Sequence, residues 1–234
     1  MNSLVFRFRS GRFIWTLLVT VYFLIFFTNF FNDAINDRAL IPLIFSYIFV
    51  LWLALEYYFG SPFFQSGVVE PNPIWRGLFA FFVYPYFAYL AADFIWWRWT
   101  QIPIPHYLLG IIGLLIFGFG AYLRLTTLFS FLRIIQTKPG SDQVLIPPKR
   151  LLNLRWHRFC RHPRYLATLI QLFGAALVFN SYGGLILTLV LGFPLILVQA
   201  RYEEGLLKLQ LKSDYEQYSR SVPFLIPKLA QKSR

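Results

Sequence analysis

Long apolar runs alternate with short polar breaks along most of this chain. A helix of about twenty apolar residues spans a bilayer, and the runs predict spans at residues 13–31, 40–59, 74–97, 106–129, 165–180 and 185–200. The breaks carry charge and turn chemistry. Asp33, Asp37 and Arg38 follow the first run, and residues 60–73 form a loop rich in Gly, Pro and Ser. Pro103 and Pro105 precede the fourth run, and residues 181–184 predict a tight turn. After the sixth run the period changes. Leu207, Leu211, Tyr215, Tyr218 and Val222 fall on one helical stripe, with Glu203 on the same face one turn earlier. The expected architecture is all-α: a polytopic integral membrane protein of about six transmembrane helices with a C-terminal amphipathic helix. It is expected as a single membrane domain, with N-terminal spans over 1–105 and a core over 106–234.

Composition agrees with the pattern. The 234 residues are 57% hydrophobic and 14% charged, where a soluble domain is less apolar and more charged. The 21% aromatic share suits rings gathered at membrane interfaces, as in Trp96, Trp97 and Trp99. The formal charge of +12 sits in breaks between apolar runs. It therefore points to anionic lipid headgroups and membrane orientation, with no nucleic-acid partner. Arg7, Arg9 and Arg12, the segment 130–164 and the tail carry most of the positive charge, so both termini and that segment are expected to be cytoplasmic. The host membrane would be the inner membrane of a prokaryotic cell or the endoplasmic reticulum of a eukaryotic one. A single Cys160 excludes an intramolecular disulfide. His157 and His162 lack a carboxylate or cysteine set to complete a tetrahedral site, so no metal is expected.

Ionisable groups at membrane depth draw attention because they are costly there. Glu56, Asp93 and Arg124 are of this kind, with snorkelling or an interhelical ion pair as the structural reading. Gly118 and Gly120 either let helices pack closely or leave room for a flat ligand. His162-Pro163 sets an extended residue directly before a helix start and places His162 at a rim, beside Arg161 and Arg164. Glu203-Glu204 follows the last span, where an acid on an apolar face asks for a partner such as Arg201 or an arginine of the basic segment. A hydrophobic hairpin thus brings two polar clusters to one side of the membrane.

Arg161-His162-Pro163-Arg164-Tyr165, the hairpin, Glu203-Glu204, Asp214-Tyr215, Tyr218, Val222-Pro223 and Ile226-Pro227 together resemble the isoprenylcysteine carboxyl methyltransferase family. The resemblance covers the C-terminal half, from about Arg124 to Pro227. Gly118-Phe119-Gly120 with Glu203-Glu204 is similar to the Gly-x-Gly and Glu-Glu pair of the related phospholipid N-methyltransferases. Where the family carries Gly-x-Tyr before Arg-His-Pro, this chain has Arg155 and His157, and the family's Phe-Gly is Leu211-Lys212 here.

The resemblance implies a membrane methyltransferase that uses S-adenosylmethionine and a lipophilic acceptor entering from the bilayer, a carboxylate or a lipid amine. It implies a cofactor site built from Arg161, His162, Pro163, Tyr165, Glu203, Glu204, Gly118 and Gly120. Basic and hydrogen-bonding groups suit the cofactor's carboxylate, and an acid suits its ammonium and sulfonium. Arg201 or Arg124 would orient a carboxylate acceptor. Two other readings stand beside it: a membrane reductase using NADPH, whose sterol-reductase-like relatives share a similar C-terminal layout, and a non-enzymatic membrane protein whose basic segment binds anionic lipid.

Overall fold

The computed structural model describes residues 10–32, 39–64, 73–134, 136–137, 144–145 and 154–226. Arg7, Arg9, Asp33, Asp37, Arg38, Lys138, Asp142, Lys149, Arg150 and Pro227 lie outside the described residues. The chain divides into two compact units, Met1–Ser61 and Pro62–Arg234.

The first unit holds α1 (Ser10–Asn32) and nearly all of α2 (Leu40–Phe64). Both are apolar around most of their circumference, as helices facing lipid are. The hydroxyls of Thr28 and Tyr47 join the two helices at 2.7 Å.

The second unit begins with α3 (Pro73–Ala92), which widens into a π turn at Asp93–Trp97. Next come α4 (His106–Ile134), a two-residue antiparallel pair of β1 (Gln136–Thr137) with β2 (Val144–Leu145), and a 3-10 turn at Trp156–Arg158. After α5 (Pro163–Val178), α6 (Tyr182–Leu187), a π turn at Thr188–Gly192 and α7 (Phe193–Leu211) form one unbroken rod. The chain ends with α8 (Ser213–Ser221). Most of the described structure is helical, the short β pair and the connecting turns apart.

Among the described residues, three helices are long and apolar enough to cross a membrane: Gly77–Trp97, His106–Ser130 and Tyr182–Leu211. Ile14–Phe30, Leu40–Glu56 and Pro163–Val178 are shorter apolar helices. The outer faces remain apolar, with Phe81 78% and Leu115 71% exposed, which suits lipid rather than water.

The helix α5 lies at the centre of the second unit, because its side chains are small along the face that meets α4. A methyl group on Gly113 would stand 2.5 Å from the Val178 nitrogen and 2.6 Å from the Gly174 oxygen. One on Gly120 would meet the Ala167 oxygen at 2.9 Å and the Gln171 side chain at 2.7 Å. Small residues let helix backbones approach without side-chain interference, which is how packing replaces the hydrophobic effect in lipid. By contrast, Gly118 faces open space.

Asp93 is fully buried at the far end of this bundle. Its carboxylate accepts from the Trp99 backbone at 2.9 Å, the Thr100 backbone at 3.3 Å and the Thr100 hydroxyl at 2.7 Å. Thr100 continues to Ser181 at 2.8 Å. The sequence suggested snorkelling or an interhelical ion pair; instead Asp93 folds its own loop and ties it to the start of α6. The expected tight turn at 181–184 is the first turn of that helix, capped by the Ser181 hydroxyl accepting from Gly184 N at 3.1 Å.

The C-terminal stripe is real but does not lie on one straight helix. Leu207, Leu211 and Tyr215 are buried together, with Tyr218 packed against them. Between α7 and α8, Lys212 adopts φ 47 and ψ −121, a conformation that β-carbons resist.

Two substitutions test this packing. Lys212→Gly is expected to raise the melting temperature, relieving roughly 1 kcal/mol of backbone strain. Gly113→Val is expected to lower it, because overpacking at a helix contact costs about 1–3 kcal/mol. Thermal melts in one detergent would contradict this account if the two shifts had the reverse signs.

Candidate functional site

Five side chains separated by the hairpin meet at one end of the second unit. Pro163 occupies the first turn of α5, where its missing N–H costs nothing, so the helix starts directly after Arg161-His162. His162 is the N-cap residue, with φ −124 and ψ 62. Tyr165 follows within the first turn. From the other side, α7 presents Glu203 and Glu204 on adjacent positions, so the two carboxylates diverge.

Glu204 receives Arg161 Nη1 at 2.6 Å and the Tyr215 hydroxyl at 3.0 Å. Glu203 receives the Tyr165 hydroxyl, and Gln199 Nε2 at 3.4 Å. His162 stands between the acids, its Nδ1 3.9 Å from Glu203 and its Nε2 3.4 Å from Glu204. That second approach is poorly directed, and His162 Nε2 makes no hydrogen bond among the described residues. Arg161 Nε and Gln199 Oε1 are likewise buried without a hydrogen-bond partner there.

The sequence placed His162 at an open rim; the structure buries it to 5% exposure. The cause is the tail beyond α8. Arg161 N donates to Pro223 O at 2.9 Å, which draws Phe224 over the cluster. The Phe224 ring lies 5.0 Å from His162 and 5.3 Å from the Arg161 guanidinium. Of the two partners the sequence offered the acids, the structure uses the arginine of the basic segment. Arg161 pairs with Glu204, whereas Arg201 is exposed and joins no ion pair among the described residues.

Other predicted residues fall around this centre. Arg124, on α4, donates to Thr168 one turn after Arg164, so it braces the α4–α5 contact. Gly120 sits in that contact as well, and Gly118 points away from it. Two contributors went unread in the sequence. Trp75 on α3 packs edge-on to Tyr165 at 6.1 Å and donates to Leu195 O at 2.6 Å. Gln199 is fully buried one turn before Glu203. Its position on that face was readable from the four-residue spacing, but its burial was not.

Burial governs the protonation of the groups beneath the cluster. His157 loses its water, and the neighbouring His162 and Arg164 add to the effect, so its pKa falls to about 3. Burial pushes the Cys160 thiol up to about 11, so it is not a thiolate nucleophile at neutral pH. Burial first, and Glu204 next, hold Tyr215 well above the usual phenol range, so it remains a donor. Tyr218 is raised mainly by burial and donates to the His157 carbonyl at 2.7 Å.

No protein-family model matches this chain, and no curated protein matches it. Among the described residues no group of three or more His, Cys, Asp or Glu is placed to hold a metal ion.

The arrangement offers donors for an anion at Arg161 and His162, beside acceptors for a cation at Glu203 and Gln199. It is suited to a zwitterionic ligand.

The His157 shift has a measurable consequence. In the unfolded chain a histidine takes up a proton near pH 6.5, which folded His157 refuses until about pH 3. Its contribution to stability is therefore complete above pH 6.5 and is lost progressively as the pH falls toward 3. The melting temperature is expected to drop between pH 6.5 and 5, a window above most carboxylate titration. His157→Gln should flatten that slope, and an unchanged slope in the variant would contradict it.

Proposed function

We propose that this protein is an integral membrane methyltransferase that uses S-adenosylmethionine and acts on a lipophilic acceptor. The observation that carries the reading is the meeting of Arg161, His162 and Tyr165 with Glu203 and Glu204, with buried polar atoms left over on Arg161, His162 and Gln199. Those atoms fit the cofactor's amino-acid head. Arg161 Nε and His162 Nε2 would hold its carboxylate, and Gln199 Oε1 with Glu203 would hold its ammonium group. When bound, the cofactor supplies an electrophilic methyl group on a sulfonium.

The chain's own residues then have limited tasks. Tyr165 and Gln199 fix the Glu203 carboxylate, so its charge needs little reorganisation when a cation arrives. Phe224 and Trp75 wall the cluster with aromatic surface, which restricts water and strengthens the electrostatics inside. In-line transfer depends chiefly on holding donor and acceptor in register. A carboxylate acceptor needs a cation to orient it, for which Arg201 and Arg124 are the candidates. A lipid amine would need to lose a proton first. The resemblance to the isoprenylcysteine carboxyl methyltransferase family favours the carboxylate.

The same reading gives six spans, formed by α1, α2, α3, α4, α5 and the α6–α7 rod. Both termini lie in the cytoplasm, and the Trp96–Trp99 belt lies on the opposite side.

Two experiments test these statements. Purified protein is expected to bind S-adenosylhomocysteine, with at least one of Glu203→Gln and Glu204→Gln weakening it about tenfold or more. Binding of NADPH instead, or wild-type affinity in both folded variants, would overturn the assignment. Cysteines introduced at Gln217 and Trp99 should be labelled by an impermeant reagent from opposite sides. Labelling of both from one side would exclude the six-span topology.

A further inference from the structure

Arginines recur every third residue at 155, 158, 161 and 164. Their surroundings divide them. Arg161 turns inward to Glu204, its side chain 15% exposed. Arg155 and Arg158 are exposed, and neither has a carboxylate partner among the described residues. Beside them Phe159 is 56% exposed. An exposed phenylalanine between outward arginines is unfavourable in water but natural where acyl chains meet headgroups.

The turn that carries these groups is held at a definite height. Trp156 Nε1 donates to the Thr126 hydroxyl at 2.8 Å, and the Trp156 ring meets Tyr122 edge-on at 6.4 Å. Along α4 from its start at His106, Tyr122 and Thr126 stand at about 24 and 30 Å by the helical rise. A hydrocarbon core is about 30 Å thick, so Trp156 sits where that core ends. The Arg155 guanidinium lies 5.3 Å from the Trp156 ring centre, which directs its charge along the same plane.

We infer that Arg155, Arg158 and Phe159 form a docking surface for anionic phospholipid: Phe159 enters the acyl region and the two arginines take the headgroup phosphate. The inference rests on the bilayer crossing and not on methyl transfer. Loss of methyltransferase activity would leave it standing, and a failure of lipid docking would leave the cofactor site untouched. Because Arg161-His162 follows directly, the same contact fixes the height of the candidate site against the membrane surface.

The test uses full-length protein in nanodiscs of phosphatidylcholine containing a minor fraction of photoactivatable phosphatidylglycerol or photoactivatable phosphatidylcholine. Chymotryptic peptides locate the cross-links. Each basic residue near an anionic surface contributes roughly a fivefold preference. The segment 154–160 is therefore expected to cross-link phosphatidylglycerol at least fivefold more than phosphatidylcholine. Arg155→Gln/Arg158→Gln should abolish that preference, and Arg155→Lys/Arg158→Lys should retain most of it. Melting temperatures confirm that both variants fold. Excess inorganic phosphate should leave the wild-type result unchanged. Equal cross-linking of the two lipids, an unaffected glutamine variant, or competition by inorganic phosphate would each overturn the assignment.

Discussion

The contact between Arg161 and Glu204 organises the second unit, because it is where desolvation demands a partner. Both groups are largely removed from solvent, at 15% and 13% side-chain exposure, and are 2.6 Å apart. Charges so placed lose hydration that only close pairing and additional hydrogen bonds replace. Glu204 therefore also takes the Tyr215 hydroxyl, and the Arg161 backbone takes the Pro223 carbonyl. One ion pair thereby fixes the start of α5, the end of α7, the helix α8 and the tail after it. Removing either partner would leave the other charged and buried, which is more costly than never having formed the pair.

The opposite end of the bundle solves the same problem without a cation. Asp93 has four donors from its own loop and the adjoining residues, with Gln101 Nε2 the most distant at 3.5 Å. Between these two polar ends, contacts are made by small residues and occasional hydroxyls. Tyr86 donates to Leu172 O at 2.7 Å and accepts from Thr188 at 3.0 Å. Where lipid is the solvent, apolar contact alone discriminates poorly between one helix pairing and another, so backbone approach and buried hydroxyls specify the neighbours.

The sequence made the helical class legible through run length, and the ends of α3 and α5 through Pro and charge. It also made Arg161, His162, Tyr165, Glu203 and Glu204 legible as a group, because their residue types are unusual beside apolar runs. The partners were not legible. Whether Glu204 meets Arg161 or Arg201 depends on the rotation of α7, and both arginines suit the charge equally well. The burial of His162 depends on Phe224, sixty-two positions downstream, a contact no local pattern records. Gly113 and Gly174 escaped notice while Gly118 and Gly120 drew it. A Gly-x-Gly spacing is conspicuous in a sequence, yet residues two apart lie on different faces of a helix.

Lys212 shows how strain and site are connected. A continuous helix through this position would keep one stripe, with Tyr215 one turn after Leu211 and Tyr218 beyond it. The break at Lys212 instead redirects α8 so that Tyr215 reaches Glu204 while Tyr218 reaches back to the carbonyl of His157. Glycine would adopt this backbone without a penalty from a β-carbon, whereas lysine tolerates it only because the contacts on either side outweigh the cost. One of those contacts is the Tyr215 hydroxyl that helps to satisfy the Glu204 carboxylate. The geometry of the acid pair and the strained junction are thus consequences of one requirement, that Glu204 be fully partnered when it leaves water.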